Sequence, residues 1–119
     1  MKKLIALFVF VLAATATYAQ DVKTVALEQT NGEFTEKGLV LAEGTYVFHV
    51  KNTGIDKEVG FVLAPKGKTD QAHHIQNAYV QHLVKKGQTQ SYKEVKLTKG
   101  EYVYFCPLNP TPQYTLTVK

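Results

Sequence analysis

Beyond its first twenty residues the chain is mostly short runs in which apolar and polar side chains alternate, separated by turn-forming residues. Alternation at period two marks a strand with one buried face. Val22 to Gln29 places Val22, Thr24, Ala26 and Glu28 on one face and Lys23, Val25, Leu27 and Gln29 on the other. Thr30 to Gly38, opened by Asn31-Gly32, reads as a loop. Leu39 onward predicts a short strand, a turn at Glu43-Gly44 and a longer strand from Thr45 to Lys51. Tyr46, Phe48 and Val50 form the core set of that strand, which puts His49 on the outer face. Glu58 to Pro65 is a further strand, stopped by its proline. Thr89 to Leu97, Glu101 to Cys106 and Tyr114 to Lys119 complete the set.

One stretch breaks the rhythm. From Lys66 to Gln88, Ala72, Ile75, Ala78 and Tyr79 recur at helical spacing, Thr69 can cap, and Asp70 suits a helix N-terminus. A short helix is predicted over Asp70 to Asn77. The whole is an all-β pattern, a Greek-key β-sandwich of about seven strands with one short helix, without internal repeats or a linker.

The first twenty residues are of another kind. Two lysines precede an apolar run from Leu4 to Ala14, and the small-x-small sequence Thr17-Tyr18-Ala19 follows. That is the form of a secretory signal peptide over residues 1–19, too short for a membrane span. It leaves one domain, residues 20–119, working in the periplasm or secreted, with no membrane anchor. The leader also changes the charge. Of the fourteen basic residues, Lys2 and Lys3 fall within it, leaving twelve against ten acids and a net charge of +2. The chain has no arginine. Phosphate and base recognition lean on arginine's planar fork, so nucleic acid is not an expected partner.

Cys106 is the single cysteine, and one thiol cannot close an internal bridge. It is therefore buried and inert, a metal ligand, or a handle for another chain. In Gly100-Glu101-Tyr102-Val103-Tyr104-Phe105-Cys106 the alternation puts Tyr102, Tyr104 and Cys106 on one face. The loop Pro107-Leu108-Asn109-Pro110-Thr111-Pro112-Gln113 follows at once.

These residues, with Asn52-Thr53-Gly54 and Phe61-Val62-Leu63 before them, resemble the cupredoxin family of blue-copper proteins, from about Leu39 to Val118. The resemblance implies a β-sandwich with a copper site at the end where Cys106 lies. A type 1 site takes two imidazoles and a thiolate in a plane, with a weak axial group. Where the family has its first histidine, this chain has Lys57-Glu58-Val59. Asn109 stands at the spacing of the second, and Gln113 where an axial ligand would come. Met1, the only methionine, falls in the leader. Cys106, Asn109 and Gln113 are therefore the candidate remnant of a metal site.

The other histidines give no second site by spacing. His73 and His74 point about a hundred degrees apart on a helix, and His82 lies beyond it. Tyr46, Tyr79, Tyr92, Tyr102, Tyr104 and Tyr114 are expected along the core edge with hydroxyls reaching backbone or water. No Ser-x-Gly elbow, phosphate loop or paired-carboxylate motif occurs, so no enzyme is predicted. Two functions remain from the resemblance. One is a non-enzymatic binding or accessory protein with a degenerate copper site, meeting a protein partner through the loop Pro107 to Gln113. The other is copper handling or electron transfer through Cys106 with nonstandard ligands. A thiol enzyme is the third class, and would need an activated Cys106.

Overall fold

The computed structural model describes residues 22–80, 82–91 and 93–119. The predicted signal peptide lies outside them, as do Gln81 and Tyr92. Among the described residues no helix is long and apolar enough to cross a membrane.

Among the described residues nine strands, rather than the about seven expected, form two sheets, because short strands such as Glu33–Phe34 and the divided stretch from Thr89 to Leu97 add to the count. The first contains β1 (Val22–Thr30), β2 (Glu33–Phe34), β4 (Gly44–Asn52), β6 (Thr89–Ser91) and β7 (Val95–Leu97). Its order is β2-β1-β4-β6, with β7 also on β4. The second holds β3 (Leu39–Leu41), β5 (Val62–Pro65), β8 (Gly100–Phe105) and β9 (Tyr114–Val118), in the order β3-β9-β8-β5. Two pairings are parallel, β1 with β4 and β3 with β9, and each joins strands distant in sequence. The all-β sandwich expected from the alternation is the observed fold.

Phase decides what fills the space between the sheets. Val25 and Leu27 of β1, Tyr46, Phe48 and Val50 of β4, Tyr104 of β8 and Leu116 and Val118 of β9 are all buried in one cluster. His49 is only partly buried, on the opposite phase of β4. Rings lock the centre: Phe34 meets Phe61, Tyr104 and Tyr114 edge-on at 6.0, 5.3 and 5.9 Å, and Phe48 stacks on Phe61 at 5.2 Å.

Four details depart from the sequence reading. The stretch read as loop from Thr30 to Gly38 contains β2, and its Phe34 is fully buried in the core. One hydrophobe in a polar turn has no period to reveal it. The strand expected from Glu58 to Pro65 begins only at Val62, and Val59 forms an isolated bridge with Val84 instead. The strand expected from Thr89 to Leu97 is divided into β6 and β7. Ser91 opposes His49 and Val95 opposes Tyr46, so the two short strands pair with separate stretches of β4.

The fourth is the helix, which is replaced by two 3-10 turns, Gln71–His73 and Gln76–Ala78. Asp70, not Thr69, stands at the first N-terminus, and no side chain caps it. Between the turns His74 and Ile75 are extended, and the Ile75 N–H donates to the Leu63 carbonyl at 2.8 Å. That tertiary bond to β5 takes the N–H a continuous helix would use internally, and it overrides the helical spacing.

Candidate functional site

The site is built at the end of the sandwich where β1, β4 and β8 finish. The Asn52-Thr53-Gly54 motif has a local physical cause. The Asn52 side chain is wholly buried; its Oδ1 accepts the Ile55 N–H at 2.9 Å, and its Nδ2 donates to the Lys57 and Val84 carbonyls at 2.9 and 3.0 Å. Gly54 turns the chain at φ +81°, which a side chain disfavours. One amide thus closes the turn after β4 and also holds the segment at Val84.

Cys106 follows β8 directly and is 1% exposed. Its sulfur accepts two backbone N–H groups, from Gly60 and Asn109, each at 3.3 Å. Across the loop, the Cys106 N–H donates to the Thr111 hydroxyl at 3.0 Å and the Thr111 N–H donates back to the Cys106 carbonyl at 3.2 Å. These bonds close residues 107–110 into a tight excursion, which the prolines stiffen further.

Asn109 is also 1% exposed, and every polar atom of its side chain is engaged. Oδ1 accepts the Gly32 N–H at 2.7 Å; Nδ2 donates to the Gln29 Oε1 at 3.1 Å and to the Thr30 carbonyl at 2.9 Å. Gln29, fully buried, passes the connection on, its Nε2 donating to the Gly60 carbonyl at 2.6 Å. The Gly60 peptide is therefore held on both sides, its N–H on the thiol and its carbonyl on Gln29. Sequence reasoning missed Gln29 as part of the site, although the alternation put this amide in phase with Val25 and Leu27. An amide on a buried face needs buried partners, and that was the available signal.

Of the three predicted site residues, the structure brings Asn109 and Cys106 into contact. Asn109 meets Cys106 through its backbone N–H, while its carboxamide faces β1. Gln113 is exposed just before β9. Val59 is fully buried in the core, immediately before the glycine that touches the thiol. Among the described residues no three His, Cys, Asp or Glu side chains form a group that could hold a metal ion.

His73 and His74 are engaged elsewhere. The ring of His74 is fixed at both nitrogens, Nε2 on the Thr69 carbonyl at 2.8 Å and Nδ1 on the Tyr79 hydroxyl at 2.6 Å. The carbonyl can only accept, so Nε2 carries a proton, and in the neutral ring the Tyr79 hydroxyl donates to Nδ1. His73 pairs with Asp70 at 2.8 Å and holds that exposed carboxyl below the usual carboxylate range, and His82 is exposed. Beside them lies a pocket of about 410 Å³ over Gly60, Phe61 and Val62, walled by the 3-10 segment on one side and by Pro107 and Leu108 on the other.

The sequence matches the cupredoxin-like domain family over residues 3–118. The chain belongs to that family. Its cupredoxin-like fold is shared with solved blue-copper proteins at low identity. Auracyanin A, a blue copper protein of the green thermophilic photosynthetic bacterium Chloroflexus aurantiacus, aligns over 83% of this chain and all of its own, at 17% identity and a TM-score of 0.67. Auracyanin from the photosynthetic bacterium Roseiflexus castenholzii aligns over 82% and 97%, at 15% identity and 0.64. An azurin of Methylomonas sp. strain J aligns over 82% and 98%, at 16% identity and 0.57. No curated protein sequence matches the chain.

Proposed function

We propose that this cupredoxin-like protein is a non-enzymatic binding or accessory protein whose copper site is degenerate. Its working face is the end of the sandwich formed by the Pro107 to Gln113 loop, where it meets its partner. One observation carries the reading: the Asn109 carboxamide, at the spacing of a ligand, is committed at all its polar atoms to β1 and the turn after it. Buried Val59 occupies the other position where an imidazole would be needed. The residues present do not fit a type 1 copper ion, which needs two imidazoles beside the thiolate. Against catalysis stands the setting of Cys106: its sulfur meets only backbone N–H groups and has no base as a hydrogen-bond partner among the described residues. The leader sequence supports work in the periplasm or outside the cell.

A second reading keeps copper on Cys106 with nonstandard ligands, in copper handling or electron transfer. Two N–H groups on the sulfur favour it, because such bonds tune a metal-bound thiolate. Titrating the reduced protein with copper, followed by optical absorption and electron paramagnetic resonance, separates the two. The first reading expects no intense thiolate charge-transfer band and the same weak copper binding in Cys106→Ala. A tight, intensely coloured complex abolished by Cys106→Ala overturns it and installs the second.

A further inference from the structure

The pocket beside the thiol has a structural cause. The chain from Lys66 to Gln88 runs as a strap along the outer edge of the segment leading into β5 and is pinned at two places. The Ile75 N–H holds the Leu63 carbonyl, and Val84 exchanges two hydrogen bonds with Val59 at 2.8 and 3.0 Å. Between the pins the strap has eight residues, Gln76 to Leu83, against three on the edge beneath it, Gly60 to Val62. Ala78 of this stretch is buried in the core, and a concavity of about 410 Å³ opens beside it, between Tyr79, Val80 and Leu83 on one side and Pro107 and Leu108 on the other. Gly60 lies at its floor. A methyl group there would stand 3.5 Å from Leu83 and 3.9 Å from Leu108, so the two leucines converge above it.

The chemistry of the walls narrows the occupant. From Gln71 to Val84 and from Tyr102 to Val118 the sequence holds no lysine, aspartate or glutamate, and no residue of those types lines the pocket. The His74 ring is spent on Thr69 and Tyr79, so it offers no free nitrogen. Leu83 and Leu108 stand 44% and 45% exposed together at the rim, whereas Leu27, Leu63, Leu97 and Leu116 are buried. A charged ligand entering here loses water and finds no counter-charge. The volume lies within the range of small-molecule sites, roughly 300–1,000 Å³.

We propose that this pocket, bounded by Phe61, His74, Tyr79, Leu83 and Leu108, binds an uncharged, largely apolar small molecule. The proposal rests on the reading of this end of the sandwich as a binding face, and adds the ligand class. Burial of the apolar face between Leu83 and Leu108 drives binding, and the uncharged walls reject ionised analogues.

The test uses two fluorophores of one skeleton, neutral phenylnaphthylamine and anionic anilinonaphthalene sulfonate. The expected result is saturable one-to-one binding of the neutral probe, at least about tenfold tighter than the sulfonate. Leu108→Glu, at an exposed position, weakens the neutral probe about tenfold or more by placing a charge at the mouth. Val40→Glu, 62% exposed on β3 of the other sheet edge, leaves it unchanged. Absence of saturable binding to the wild type overturns the proposal, as does equal affinity for the two probes, or an equal loss in the two variants. Failure here leaves the copper titration as it stands, and a copper charge-transfer band leaves this result as it stands, so the two readings fail separately.

Discussion

The two ends of the sandwich are closed by different chemistry. At the end away from the thiol, tyrosine hydroxyls do the work. Tyr46 donates to the Ala42 carbonyl at 2.6 Å and Tyr102 to the Thr98 carbonyl at 2.8 Å, each reaching back four residues across a turn. Nearby the Glu43 carboxylate accepts the Lys99 N–H at 2.7 Å. These bonds are partly or fully exposed, so water can replace them. At the Cys106 end the closures are Gln29, Asn52 and Asn109, the buried polar residues of the described chain, each exposed by no more than 1%. No buried side-chain nitrogen or oxygen among the described residues lacks a partner. A buried amide network fixes loop positions because every alternative leaves a polar group dry and unpaired. The end that presents the loop 107–113 is thus the more sharply specified one.

The largest effect that can break this comparison comes from Gln29→Leu. The substitution keeps the volume but leaves the Gly60 carbonyl and the Asn109 Nδ2 short of a buried partner. Each such loss is worth about 1–3 kcal/mol, so about 3 kcal/mol in all is expected in denaturant unfolding. Amide exchange at Gly60 and Asn109 should quicken with it. A loss below about 1 kcal/mol would mean the network is ornamental and the two ends are equivalent.

That network marks where sequence reasoning stops. The strands of the core were legible because burial imposes period two: Tyr46, Phe48 and Val50 point inward as their phase requires. The family likeness was legible in Asn52-Thr53-Gly54 and in the run ending at Cys106. That Lys57-Glu58-Val59 holds no histidine could be read directly. What could not be read was contact across long sequence separations. Asn109 bonds to residues 77–80 positions away, and no local pattern distinguishes that from a ligand position. Phe34 was hidden for the same reason, a single ring entering the core from a two-residue strand. The helical spacing after Asp70 was real, but the bond from Ile75 to β5 decided the conformation.

Tyr104 sharpens the comparison from the middle of the molecule. Its hydroxyl donates to the Glu36 carbonyl at 2.8 Å and accepts the Gly38 N–H at 2.9 Å, so it ties the loop after β2 to β8. Tyr104→Phe removes both bonds and should destabilise by about 1–2 kcal/mol, between the two ends. Burial raises the ionisation of this hydroxyl above the ordinary 10.0, opposed in part by the Gly38 N–H. The unfolded chain then loses this proton first. The stability contribution is complete below pH 10 and declines as pH rises from there toward the folded value. The gap between wild type and Tyr104→Phe should therefore narrow in melts above pH 10. A constant gap would assign the loss to packing alone.

At the far end, Tyr46→Phe deletes one bond to a backbone carbonyl that water can reach. The expected loss is about 0.5–1 kcal/mol by denaturant unfolding, several times smaller than for Gln29→Leu. A loss as large as that of Gln29→Leu would show that hydroxyl closures hold their turns as firmly as buried amides do.

The smallest effect belongs to a charge pair on the outside of the Cys106 end. Lys86 meets Asp56 at 2.8 Å, joining the turn after β4 to the segment before β6, the same two pieces that Asn52 joins from within. Hydrogen bonding and attraction to Lys86 hold the Asp56 carboxyl below its ordinary value of 3.8. Any stability from it is present above that value and is lost as pH falls through the lower folded value. Both groups are largely in water, where side-chain entropy and salt screening cancel most of the attraction. Lys86→Gln should leave the melting temperature at pH 7 unchanged within error, in low salt and in high salt alike. If it instead lowers the melting temperature as much as Tyr46→Phe does, and only in low salt, then surface charge joins the buried amides in fixing this end.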